Sequence, residues 1–283
     1  MDAPGRREIA SSWRLVEAIR SYANGFTAVF DRHFGTDYID DGQLLALEYL
    51  ASRGPATVPV LAEVTGLDRG QALSFVRDLT GRGLVTSERS AQDRRQRVYR
   101  LTAAGERAAA RTAADLSAFY AEATALAAEV VSATQARGPE HPAADHGSDE
   151  SHDAWSLARG VALVGLQLTQ EIVARLGAER EGKVHGRRIL AVIVVCAEAD
   201  CRPSTIAAEL GLSPAGATYL IDVLERDGLV TRERDIEGDR RGVRVVATAE
   251  GLAAAVAVHD ALQEIAPLLH AQFSRLSTHA ART

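Results

Sequence analysis

Two clusters of arginine are the residues whose type and spacing point most directly to chemistry. Arg89, Arg94, Arg95, Arg97 and Arg100 form the first, and Arg232, Arg234, Arg240, Arg241 and Arg244 the second. A guanidinium is always charged and binds phosphate and guanine edges through paired N–H groups, so such clusters suit nucleic-acid contact. The chain carries a net charge of −6, with Lys183 its only lysine. That excludes a protein that coats nucleic acid indiscriminately, but electrostatic attraction is screened over ~8–10 Å and acts patch by patch. The second cluster is interleaved with Glu233, Asp235, Glu237 and Asp239, so it is expected to hold phosphate more weakly.

Other reactive residues offer less. Cys196 and Cys201 match neither a disulfide framework nor a four-ligand zinc site. They read as small buried hydrophobes, Cys201 beside Arg202 being the less inert of the two. His141, His146 and His152 are irregularly spaced in a polar stretch without cysteines, a solvated spacer and not a metal site. No Ser-His-Asp grouping, glycine-rich phosphate loop or paired carboxylates stand in a suitable context, so neither an enzyme nor a cofactor is expected. Apolar residues make up 46% and charged residues 25% of the 283, as in ordinary globular proteins. No apolar run approaches the ~18–20 residues that span a bilayer, and Met1–Trp13 lacks the apolar core of a signal peptide. A cytoplasmic protein without membrane partners is expected.

The elements that must position the arginines occur twice. GLVTSERSAQDRRQRVYRLTAAG from Gly83 is repeated as GLVTRERDIEGDRRGVRVVATAEG from Gly228, with one residue inserted before Asp-Arg-Arg. Upstream, LAEVTGLDRGQALSFVRDLTGRGLV from Leu61 aligns without gaps to IAAELGLSPAGATYLIDVLERDGLV from Ile206, and the match extends back to Trp13 and Trp155. So many matched Gly, Leu, Trp and Asp-Arg-Arg positions in one order mark a duplication. Ala136–Asp153 is rich in Pro, Gly, Ser, His and acid with no apolar period and reads as a linker. The organisation expected is domain 1 over 1–136, a linker over 137–153 and domain 2 over 154–283.

In the first copy, Ser11 or Ser12 is expected to cap a helix that stops at Gly35, followed by a helix over Gln43–Ala51. Val58–Val64 and the stretch from Asp68 through Arg82 form a helix pair around Thr65-Gly66-Leu67, Gly66 supplying a positive φ. Alternation of period two then predicts strands over Leu84–Arg89 and Arg97–Leu101, and Thr102 caps a long last helix to about Ala136. The second copy repeats this order: helices over Ala154–Leu176, Arg188–Ala197, Pro203–Leu210 and Ser213–Asp227, a hairpin tip at Glu237–Asp239, and a last helix that Pro267 should kink or break. The fold class is mainly α with small β-hairpin wings. A helix-turn-helix followed by a hairpin places the second helix in a major groove and the hairpin at the minor groove or backbone.

The two hairpin sequences resemble the wing of MarR-type regulators, with their G-L-V start, Asp-x-Arg tip and closing L-T-x-x-G. The resemblance implies a DNA-binding transcriptional regulator. It implies that Arg95 and Arg241 enter the minor groove, oriented by Asp93 and Asp239, with Arg94, Arg97 and Arg240 beside them. It implies that the long flanking helices pair the two winged helix-turn-helix domains into an intrachain pseudo-twofold dimer. Many members also release DNA on binding small aromatic compounds. At the recognition helix the chain departs from the family, which often carries a basic residue where Leu73-Ser74 and Thr218-Tyr219 stand. Base contacts would then come from Arg69, Gln71, Ser74 and Arg77 in the first copy and from Ser213, Thr218 and Tyr219 in the second. The ladder Tyr22, Phe26, Phe30, Phe34 is a helix–helix seam or, with Trp13 and His33, the lining of an effector pocket. A rival to DNA reading is a protein-interaction or small-molecule-binding module that kept the fold.

Overall fold

The computed structural model describes residues 5–36, 39–90, 93, 95–135, 153–176, 186–234 and 243–280. Helix α1 (Arg6–Phe34) begins ahead of the expected serine cap. The Gly5 N–H donates to the Glu8 carboxylate at 2.6 Å, which satisfies a helix-start donor and moves the start upstream. Ser12 lies inside the helix and is buried, its hydroxyl bonded to Nδ1 of His259 at 2.8 Å. Neither Ser11 nor Ser12 is a cap.

Helix α2 (Asp41–Ser52) is fixed by a capping box between Asp40 and Gln43. A two-residue strand β1 (Ala56–Thr57) leads into α3 (Val58–Thr65), the turn, and α4 (Arg69–Gly81). Gly66 adopts φ 71°, a left-handed conformation that glycine occupies without a Cβ penalty. Strands β2 (Val85–Arg89) and β3 (Arg97–Leu101) form the hairpin, and β1 joins its far edge to give the order β1-β3-β2. The last helix of this copy is two: α5 (Ala103–Glu122) and α6 (Thr124–Gln135). The break at Ala123 is followed by Thr124, whose hydroxyl donates to the carbonyls of Tyr120 and Ala121 and so competes with the helical ladder.

The second copy runs α7 (Ala154–Leu176), α8 (Arg187–Ala197), α9 (Pro203–Glu209), α10 (Pro214–Arg226), β4 (Val230–Arg234), β5 (Val243–Ala247) and α11 (Ala249–Ala280). Its described sheet has two strands. What remains of the third is one bond, from Val245 N–H to the Cys201 carbonyl at 2.8 Å. Pro267 lies inside α11 without ending it, since a proline removes a single N–H from a ladder that continues on both sides. By length and composition Ala249–His279 could cross a membrane, yet half of its most apolar stretch is buried in protein.

Each hairpin is closed by the same seam. Thr102 accepts from Gly105 N–H, donates its hydroxyl to Gly83 O at 2.8 Å, and donates its N–H to Leu84 O at 3.0 Å. Thr248 does the same with Gly251, Gly228 and Leu229. A Cβ on Gly105 would collide with the Leu84 carbonyl oxygen, and one on Gly251 with that of Leu229. This is the physical content of the duplicated T-x-x-G: the helix start sits on the strand start, with room only for hydrogen.

The residues group into two compact units. One comprises Ala18–Gln167 with Pro267–Thr283 and holds the first helix-turn-helix; the other comprises Met1–Glu17 with Leu168–Ala266 and holds the second. In the first head's unit the core is aromatic. Tyr22 contacts Phe119 and Phe273 edge-on, with centroids 5.1 and 4.9 Å apart, and Phe30 contacts Phe26 and Trp155 at 5.3 and 5.8 Å. In the second head's unit it is aliphatic, built from Ile9, Leu15, Ile193, Ile206, Ile221, Leu262 and Ile265.

Candidate nucleic-acid interface

In the first head, the α4 side chains expected to read bases all face solvent. Arg69, Gln71, Ser74 and Arg77 are all exposed, while Ala72, Phe75, Val76 and Leu79 are buried beneath them. The helix is oriented by its start. Asp68 accepts from Gln71 N–H at 2.8 Å, and the Gln71 carboxamide oxygen accepts from Asp68 N–H at 3.0 Å. Gln71 therefore spends its acceptor on the cap, leaving an amide donor to face outward. Leu67 packs against Gly42 of α2, a contact close enough that a Cβ there would clash.

In the first wing Arg89, Arg95 and Arg97 have no carboxylate partner among the described residues. Arg89 and Arg97 stand directly opposite each other across β2 and β3, an arrangement of like charges that costs stability unless an anion joins them. Arg97 is pinned by two bonds to Ser87, one to the hydroxyl and one to the carbonyl, each 2.9 Å. Arg69, Arg77, Arg89 and Arg95 make no ion pair among the described residues. Asp93 accepts from Arg95 N–H at 2.9 Å and from the Gln96 amide at 3.0 Å. It thus orders the wing tip through the main chain and leaves the Arg95 side chain exposed. Arg100 is paired with Glu88, and Arg82 is tied to Asp78 at 2.8 Å and to the carbonyl of Gly35. Both are structural.

The second head differs position by position. Its α10 is capped by Ser213, which accepts from Gly216 N–H at 3.1 Å, and Ser213, Thr218 and Tyr219 are exposed as expected, Tyr219 by 69%. The Thr218 hydroxyl donates back to the Pro214 carbonyl at 3.0 Å. Where the repeat places Arg69 and Arg77 in the first head, it places Pro214 and Asp222 here. Asp222 and Glu225 together hold Arg232 of β4, which ties the helix face to the wing. Arg244 is paired with Glu233 at 2.8 Å. Opposite Arg234 stands Val243, so the doubled arginine of the first wing has no counterpart. This clamp was not anticipated, although aligning the repeats puts Asp222 on Arg77 and Arg232 on Ser87. Arg94, Asp239, Arg240 and Arg241 lie outside the described residues, as do the linker histidines.

The residues of the expected effector pocket are divided. Tyr22, Phe26 and Phe30 are buried on one another and on Phe119, Trp155 and Phe273, and Phe34 is buried as well. The Tyr22 hydroxyl has no hydrogen-bond partner among the described residues, and burial pushes its pKa up. His33 bonds Asp115 at 2.8 Å; that bond, together with Arg32, holds the Asp115 carboxyl below its ordinary value. Trp13 belongs to the other unit, where its indole N–H donates to Glu209 at 3.1 Å. That unit contains a cavity of about 380 Å³ lined by Ile9, Cys196, Glu198, Arg244, Val245 and Leu252. Both cysteines are buried. Cys201 is the opposite of reactive: burial, with Glu198 and Asp200 nearby, pushes its thiol to about 12. The described residues contain no cluster of three metal-ligating side chains.

A family model described as the MarR family matches the chain twice, over residues 39–96 and 186–242. No curated protein matches it.

Proposed function

We propose that this chain, a MarR-type regulator made of two such units in tandem, is a ligand-responsive repressor that binds duplex DNA and whose two unlike heads do not share the contact equally. The observation that carries the reading is the first head's exposed, uncompensated charge. Arg69 and Arg77 lie on one solvent face of α4, and Arg89, Arg95 and Arg97 on the wing beside it. A recognition helix offers base edges its polar side chains, and wing arginines neutralise phosphates or enter the minor groove. Asp93 orders the tip from which Arg95 projects.

The terminal segments support pairing of the halves within one chain, because Met1–Glu17 packs in the second head's unit and Pro267–Thr283 in the first head's. Ligand response is supported by the 380 Å³ cavity, which joins the start of α1 to the second wing through Ile9 and Val245. A small, largely apolar molecule with one polar group would suit Glu198 and Arg244. The protein acts in the cytoplasm, where its DNA lies. A second reading, protein interaction through the second head, is favoured by one observation, the exposed Tyr219 ring.

Mobility shift against promoter fragments tests the proposal. Sub-micromolar binding that weakens steeply between low and moderate salt, and is lost in Arg95→Ala, is the expected result. Affinity indifferent to salt and to that substitution would reject it.

A further inference from the structure

We infer that the chain reads DNA through its first head alone, and so takes a single half-site with no inverted repeat. The inference rests on the DNA-reading proposal above and adds which surface does the reading.

Three features separate the heads. The first is net charge: residues 66–101 hold eight arginines and four carboxylates, whereas 211–247 hold six arginines and seven carboxylates, giving +4 against −1. The second is the reading helix. A groove-bound α4 presents Arg69 and Arg77 to phosphate and guanine, whereas α10 presents Pro214 and the Asp222 carboxylate, which repels phosphate. The third is the clamp. Arg232 is engaged by Asp222 and Glu225 and is half-buried, so the helix and wing of the second head satisfy each other. In the first head, Arg89 and Arg97 face each other with no carboxylate partner among the described residues, a repulsion that an incoming phosphate would relieve. Freeing Arg232 for DNA would leave two carboxylates unpaired beside the phosphate backbone, an outcome electrostatics opposes.

Selection of bound duplexes from a random pool by the full-length chain tests this, followed by the same selection with Arg77→Ala and with Arg69→Ala. The expected result is one enriched half-site without symmetry, and loss of enrichment by at least tenfold in both variants. If the second head reads DNA, wild-type protein enriches two half-sites and the variants retain the one read by α10; either finding overturns the inference. Failure of the wild-type chain to enrich any sequence, with salt-sensitive but uniform binding to all duplexes, overturns it by removing specific reading altogether. Absence of binding even at low salt rejects the DNA-reading proposal itself. Arg69 and Arg77 are exposed and make no bond among the described residues, and matched melting temperatures separate a reading defect from a folding one.

Discussion

The two heads share a frame and differ in what they present on it. Around each wing the Thr–Gly seam is reproduced bond for bond, from Thr102 and Gly105 to Thr248 and Gly251. On the exposed faces the reading positions are not reproduced: Arg77 becomes Asp222, Ser74 becomes Tyr219, and Arg97 and Arg100 become Val243 and Val246. Buried geometry is conserved in a duplication because a single Cβ disrupts it, whereas exposed positions away from such contacts usually change stability by under about 0.5 kcal/mol. The difference shows where the two copies have been free to diverge in role.

The cores differ as well, and the largest expected effect lies there. Phe30→Ala should cost about 4 kcal/mol, since the ring is fully buried against Phe26 and Trp155. Its ladder counterpart Ile172 is only half-buried, so Ile172→Ala should cost about 2 kcal/mol or less. Equal losses in denaturant titrations would break the comparison. Next, Gly105→Ala and Gly251→Ala should each destabilise by about 3 kcal/mol, because both push a methyl into a backbone carbonyl. A large loss in one and none in the other would show that the seams are not equivalent.

A loss of stability with rising pH should belong to one unit. Burial and neighbouring Asp40 raise Asp41 to about 7, and burial also raises Glu48; the second copy has Gly186 and Ile193 at these positions. A carboxyl whose folded pKa is raised favours the folded state while protonated. That contribution is full below about pH 4 and is lost as pH rises through about 7. Asp41→Asn should therefore flatten the decline in stability between those values and gain about 2 kcal/mol at pH 8, after allowance for solvent screening. An unchanged pH profile would remove Asp41 from the account. Smallest of all, Asp222→Ala should raise affinity for non-specific duplex two- to threefold by releasing Arg232, and no change would mean that the clamp does not restrain it.

Much of this was legible in the sequence. The repeat, the Gly66 turn, the Asp68 cap and the exposed face of α4 follow from spacing and residue type, and the family matches cover both heads. The start of α1 was not legible, because the Gly5–Glu8 bond competes with an equally plausible cap at Ser12, whose hydroxyl proves to be used by His259 247 residues away. The reduced third strand of the second head depends on the backbone bond between Cys201 and Val245, a long-range pairing that local pattern does not report. Grouping of the terminal segments is likewise a property of packing. The repeat records chain order, while residues 1–17 and 267–283 each lie with the other copy's head.

The most direct test of unequal heads is the salt dependence of DNA binding. Log affinity falls against log salt by about 0.9 for each phosphate neutralised. Replacing both Arg89 and Arg97 by alanine should lower that slope by about 2. An unchanged slope, or an equal fall on replacing Arg232 and Arg244 instead, would contradict the claim that the first head carries the contact.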